Sequence, residues 1–184
     1  IGQALASRSR DRVASLTLVN SAGFGAEVTP LLRMLSLPGL ARYAATHSTP
    51  AGARLMERRI FADPSLATPE RVQHSLRIAA QPGTGAFLYE MANHLGTARG
   101  VRPQWRDALL TAVAAHPRPT LLIWGDRDRI LPAVHLEAAR RQFPGAQVHV
   151  FAGAGHMPQI ERPDEFAELV TAFVENGPTL SASV

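Results

Sequence analysis

The chain has 184 residues, 46% of them hydrophobic, enough to bury one sizeable core as one domain or as a domain with a small lid. Its formal net charge is only +4; the pI of about 10.8 arises because the basic residues are all arginine, and with no basic stripe interleaved with aromatics the composition argues against a nucleic-acid partner. No apolar run approaches the roughly 18 residues of a membrane span, and the absence of cysteine excludes disulfides and thiolate metal sites.

In chain order, Ile1-Gly2-Gln3 carries neither an initiator methionine nor a charged-then-apolar leader. The sequence therefore reads as the later part of a longer, soluble, cytoplasmic protein. Ile1, Ala4 and Leu5 repeat at helical spacing, and the polar residues 8–11 end that helix. Residues 13–19 are a short apolar run bounded by turn residues and read as a buried parallel strand. A second such run lies at 120–124 and a third at 148–151. Between the first two, residues 26–102 exceed any ordinary crossover and hold helix-like patches at 31–37, 51–61, 69–80 and 86–95, punctuated by Pro38-Gly39, Asp63-Pro64 and Gln81-Pro82-Gly83. They are expected to form a helical cap, with residues 1–25 and 103–184 making the core and 104–115 the helix that returns to it. Residues 133–143 place Leu136, Ala139 and Phe143 on one side and stop at Pro144-Gly145. Phe166, Leu169, Val170, Phe173 and Val174 follow the i, i+3, i+4, i+7, i+8 pattern, with Pro163 near the start and Gly177 past the end; 177–184 read as a frayed tail. Strands alternating with helices predict an α/β fold with a parallel sheet flanked by helices, because parallel neighbours need crossovers.

Ligands bind open parallel sheets at the carboxyl ends of the strands. Two residues with suitable chemistry fall there. Asp128 follows the strand at 120–124 in Gly125-Asp126-Arg127-Asp128, and His156 follows the strand at 148–151 in Gly153-Ala154-Gly155-His156. A carboxylate that fixes an imidazole's tautomer and orientation makes it a proton shuttle. Taken alone, Asp128 would rather be read as a turn residue whose carboxylate caps the helix beginning near Pro132, and His156 fits a loop histidine that bonds its neighbours. Asp126 is assigned to the turn. The remaining histidines are scattered without ligand spacing, which argues against a metal site; no cofactor is expected. Ile130, Leu131 and Met157 beside the pair are candidates to line an apolar pocket, with core packing as their alternative role. In the insertion Tyr89 is a further candidate, and Phe87 and Met91 are weaker ones.

Residues 119–132, Pro-Thr-Leu-Leu-Ile-Trp-Gly-Asp-Arg-Asp-Arg-Ile-Leu-Pro, then Phe143-Pro144-Gly145-Ala146 and 153–166, Gly-Ala-Gly-His-Met-Pro-Gln-Ile-Glu-Arg-Pro-Asp-Glu-Phe, resemble the carboxyl-terminal half of the α/β-hydrolase family. Residues 12–23, Arg-Val-Ala-Ser-Leu-Thr-Leu-Val-Asn-Ser-Ala-Gly, resemble the sixth strand of that fold. The resemblance covers roughly 1–25 and 104–176 and implies strands 6 to 8 of the fold, with the insertion as the family's variable cap. It implies Asp128 as the catalytic acid and His156 as the base. Some relatives carry the acid after the sixth strand, where this chain has Asn20-Ser21, which cannot hold the charge. The nucleophile elbow, Gly-x-Ser-x-Gly, is missing; by comparison with the family it belongs roughly five residues before Ile1. Ser7, Ser9, Ser15 and Ser21 have no such setting, so the nucleophile is not in the chain.

The expectation is a hydrolase of a small apolar ester or a related acyl or carbon–carbon bond, acting through a Ser-His-Asp triad. An epoxide or haloalkane hydrolase with an aspartate nucleophile, a cofactor-free haloperoxidase and an acyltransferase remain alternatives, as does an inert fragment. Tyr43 and Tyr89 are the insertion's only tyrosines for an epoxide hydrolase. Lacking the preceding strand, residues 13–19 would present an unpaired edge open to the amino-terminal half or to self-association.

Overall fold

The computed structural model describes residues 1–27, 47–97 and 99–176, together with Arg33, Leu37 and Tyr43. Most of the patch at 31–37 and the tail at 177–184 lie outside these residues. The order is α1 (Gly2–Arg8), β1 (Leu16–Val19), α2 (Pro50–Ile60), α3 (Pro69–Ala79), α4 (Thr84–Leu95), β2 (Gly96–Thr97), β3 (Gly100–Val101), α5 (Pro103–Ala114), β4 (Thr120–Gly125), α6 (Val134–Gln142), β5 (Gln147–Phe151), α7 (Pro158–Glu161) and α8 (Pro163–Glu175).

The main sheet is parallel, in the order β1-β4-β5, with Leu18 opposite Leu122 and Leu122 opposite Val148. Central β4 is buried along its whole length, as a strand covered on both faces must be. Successive side chains alternate between faces. Leu122 and Trp124 join Ala6, Leu18, Val113, Leu136 and Phe143 in one core layer, which packs α1, α5 and α6 on that face. Leu121 and Ile123 join Phe151 and Phe173 in the other, under α8. The short antiparallel ribbon of β2 and β3 closes the insertion, an element that its glycines and brevity hid from periodicity.

Two strands differ from expectation. The first starts at Leu16 rather than at residue 13, because the carbonyl of Val13 accepts from the Arg118 side chain (3.0 Å) and the ladder begins with Leu16 N–H donating to Pro119 O (2.8 Å). The third is only partly buried, with Val150 at 42% exposure. Among the described residues β5 and β1 each have one ladder neighbour, so both are edges.

In the insertion, proline at the first helical position and a threonine cap set the starts of two helices. The Thr49 hydroxyl accepts from Gly52 N–H (3.1 Å) at α2, and Thr68 from Arg71 N–H (3.4 Å) at α3. Buried Glu57 of α2 takes Arg71 Nε (3.1 Å) and the Ser75 hydroxyl of α3, and the Arg71 guanidinium lies 4.7 Å over the ring of Phe61. Phe61 is fully buried where α2 gives way to extended chain. No helix among the described residues is long and apolar enough to cross a membrane.

Candidate active site

At the end of β4 the chain turns back through Asp126 and Arg127, closed by Asp128 N–H donating to Gly125 O (3.2 Å). The Asp128 side chain is entirely buried, and each of its oxygens has a separate task. Oδ1 accepts from the backbone N–H groups of Ile130 (2.7 Å) and Leu131 (3.0 Å). Oδ2 accepts from Asn20 Nδ2 (2.7 Å) and meets His156 Nδ1 at 2.8 Å. One carboxylate thus closes its own turn and meets the histidine, while the helix expected near Pro132 begins at Val134 with Ala133 at its N-cap and no side-chain cap. A carboxylate only accepts, so Nδ1 carries the shared proton, and in the neutral ring Nε2 is the atom with the lone pair. Nε2 has no hydrogen-bond partner among the described residues, and the ring keeps 24% of its exposure.

The loop that carries His156 is stitched to the loop that carries Asp128. Asp126 N–H donates to Phe151 O (3.3 Å), Arg127 N–H to Ala154 O (2.9 Å), and Gly153 N–H to Asp126 Oδ1 (2.7 Å), so Asp126 binds the second loop as well as shaping its own turn. Gly125 permits this approach: a Cβ there would collide with the carbonyl oxygens of Gly155 and Ala154. On its far side the histidine loop meets the insertion, where His156 N–H donates to Ile60 O (2.7 Å).

Asn20, at the end of β1, was set aside in the sequence because it bears no charge, yet it organises the rim. Its Nδ2 donates to Asp128 Oδ2 and to Gly155 O (3.0 Å), while its Oδ1 accepts from Gly125 N–H (3.1 Å). It is 4% exposed and adopts φ 42°, a left-handed conformation that asparagine tolerates better than most residues. One buried amide therefore ties together the ends of all three parallel strands. Its place directly after an apolar strand was the available signal.

The proposed pocket residues separate. Leu131 is 6% exposed within the core layer of Trp124, and Ile130 packs against that layer. Met157 follows His156 directly, half-buried, with Sδ accepting from Gln159 Nε2 (3.1 Å). Tyr89 is half-buried on α4; among the described residues no hydrogen bond or ring contact joins its side chain to the pair. A cavity of about 350 Å³ lined by Phe24, Glu27, Arg106, Asp107 and Arg141 lies apart, with neither Asp128 nor His156 in its wall. A second histidine approaches a carboxylate: His135 lies 3.8 Å from Glu27 Oε2; it is 1% exposed, and its Nε2 contacts Glu27 O at 2.6 Å. That ring is closed to any substrate. Among the described residues no cluster of three His, Cys, Asp or Glu side chains could hold a metal ion.

The model of the alpha/beta hydrolase family matches residues 2–169. The chain is 32% identical over 163 residues to the dihydrolipoyllysine-residue acetyltransferase component of the acetoin cleaving system of Pseudomonas putida, covering 89% of this chain and 39% of that protein. It is 30% identical over 178 residues to the 2-hydroxymuconate semialdehyde hydrolase of Pseudomonas putida, covering 96% and 59%. Among solved structures, the meta-cleavage product hydrolase of Pseudomonas fluorescens IP01 superposes with a TM-score of 0.74 at 26% identity, over 95% of this chain and 60% of that one. The chain thus spans between two fifths and three fifths of the length of these proteins. By this match and this fold, the chain belongs to the α/β-hydrolase family.

Proposed function

We propose that this chain carries the acid and the base of a hydrolase acting on a small apolar ester or a related acyl or carbon–carbon bond, through a Ser-His-Asp triad whose serine precedes Ile1. The observation that carries this reading is the imidazole of His156, fixed through Nδ1 by a buried carboxylate at 2.8 Å while Nε2 remains unpartnered among the described residues. In the reaction the serine hydroxyl adds to the acyl carbon as Nε2 takes its proton, and Asp128 offsets the charge of the imidazolium. The tetrahedral intermediate then expels the leaving group, which takes the proton from Nε2. Water repeats the sequence at the acyl-serine, releasing the acid and restoring the hydroxyl. The likeness to proteins named as semialdehyde and meta-cleavage product hydrolases supports a small molecule as substrate.

The likeness to an acetyltransferase component favours a second reading, in which the acyl group passes to an acceptor other than water. Under either reading α2, α3 and α4 of the insertion serve as a cap over the pair, and Ile60, bonded to His156 N–H, is one point of their attachment. The free edge of β1 receives a strand of the amino-terminal half.

The test uses the parent protein with its upstream segment, assayed on a p-nitrophenyl ester with water and then with a competing acyl acceptor. His156→Ala should abolish turnover, and Asp128→Asn should lower it by roughly four orders of magnitude, the size of loss seen when a triad acid is neutralised. Wild-type turnover in both variants would end the proposal.

A further inference from the structure

Glu161, the last residue of α7, takes no part in the chemistry above, yet its carboxylate faces the loop that bears His156. Oε1 accepts from Gly155 N–H at 2.6 Å, and Oε2 accepts from Ala62 N–H at 2.9 Å. No arginine forms an ion pair with it among the described residues, so two backbone amides hold its charge. Charge-assisted bonds of this length are the stronger kind. One of the donors belongs to the residue before His156, and the other to the extended chain leaving α2. The backbone pairs directly at the same place, His156 N–H donating to Ile60 O at 2.7 Å. The fit is close enough that a Cβ on Gly155 would meet Ala62 N and Ile60 O. Behind this segment Phe61 is fully buried beneath the Arg71 guanidinium, which Glu57 holds in turn.

We propose that Glu161 is a positioning residue that clamps the segment Ile60, Phe61 and Ala62 of the insertion to the loop Gly155 and His156, so that the insertion sets the seat of the base. The inference rests on the reading of His156 as the base, and it adds a mechanical link between that base and the helices over it. Either carboxylate oxygen alone would fix only one of the two strands of chain. Both together make the loop and the insertion a single unit, opened or closed as one. Displacing Phe61 would therefore loosen His156 through the backbone bond between Ile60 O and His156 N–H.

The experiment measures amide hydrogen exchange residue by residue in the parent protein with its upstream segment by NMR, together with the ring nitrogen signals of His156. Glu161→Ala should speed exchange at Gly155 and Ala62 by at least about tenfold, and at His156 with them, while β4 and α8 keep their rates. Glutamine has one acceptor oxygen and presents an NH₂ to the other donor, so Glu161→Gln should protect one of the two amides and release the other. It also serves if the alanine variant fails to fold. Phe61→Ala should speed the His156 amide from the insertion side. Unchanged exchange at Gly155 and Ala62 in both Glu161 variants, or an unmoved His156 amide in Phe61→Ala, would overturn the clamp. Asp128→Asn separates this from the reading of the pair: it should move the His156 ring signals and leave the clamp amides alone. Unmoved ring signals would remove the pair but not the clamp.

Discussion

Replacing Asn20 by alanine tests the idea that one amide holds the rim together. The change deletes a charge-assisted bond to Asp128 Oδ2 and two neutral ones, to Gly155 O and from Gly125 N–H. Neutral bonds contribute about 1 kcal/mol each and bonds to charged groups about 1.5–3 kcal/mol, and buried partners left unmatched set the loss at the upper end. Alanine also tolerates φ 42° less well than asparagine. The expected destabilisation is about 4–5 kcal/mol, a large share of the 5–15 kcal/mol typical of a folded domain. Urea unfolding followed by far-ultraviolet circular dichroism reads it as a fall in midpoint at constant slope. A double-mutant cycle with Asp128→Asn should give a coupling of about 1–3 kcal/mol, because the two side chains share a bond. A loss under about 1 kcal/mol, or additive effects in the cycle, would show that water replaces the amide and that the strand ends are held by other means.

Two further outcomes follow from the backbone. Gly125→Ala should cost at least about 3 kcal/mol in the same urea assay or prevent folding, since its Cβ collides with two carbonyl oxygens of the adjoining loop; near wild-type stability would mean that the loops separate freely. Leu16 and Asn20 donate their N–H groups toward β4, so by the two-residue alternation Thr17 and Val19 point theirs to the open edge of β1. The 184-residue chain should therefore self-associate in light scattering, and Thr17→Pro, which removes an outward N–H while sparing the ladder, should shift it toward monomer. An unchanged mass distribution would place the association elsewhere.

Much of the fold was legible because burial on both sheet faces writes itself as an unbroken apolar run, as at Leu121, Leu122, Ile123 and Trp124. The helix at Pro163–Glu175 was legible for the complementary reason, a 3.6-residue stripe between a proline and a glycine. Strand ends were not. Whether Val13 enters the ladder depends on Arg118, a residue distant in sequence, and how far Val150 is buried depends on what lies beyond β5. At the rim, strand-end logic brought Asp128 and His156 to one place, while their setting stayed hidden. Asn20 and Glu161 act through hydrogen bonds to partners far along the chain, 108 residues away in the case of Asp128 and 99 for Ala62. No local pattern encodes such pairings. The ambiguity of Asp128 was of another kind, dissolved by the fact that a carboxylate has two oxygens.

Trp124 lies in the core layer under α1, α5 and α6, with no exposed surface and its indole Nε1 donating to Leu131 O at 3.1 Å, inside the turn that Asp128 closes. The other tryptophan, Trp105, is half-buried, with its Nε1 on Leu95 O. Emission from the deeper indole is consequently a native optical gauge of the surroundings of Asp128. A red shift that precedes global unfolding would announce water reaching the aspartyl turn, with no dye or label attached.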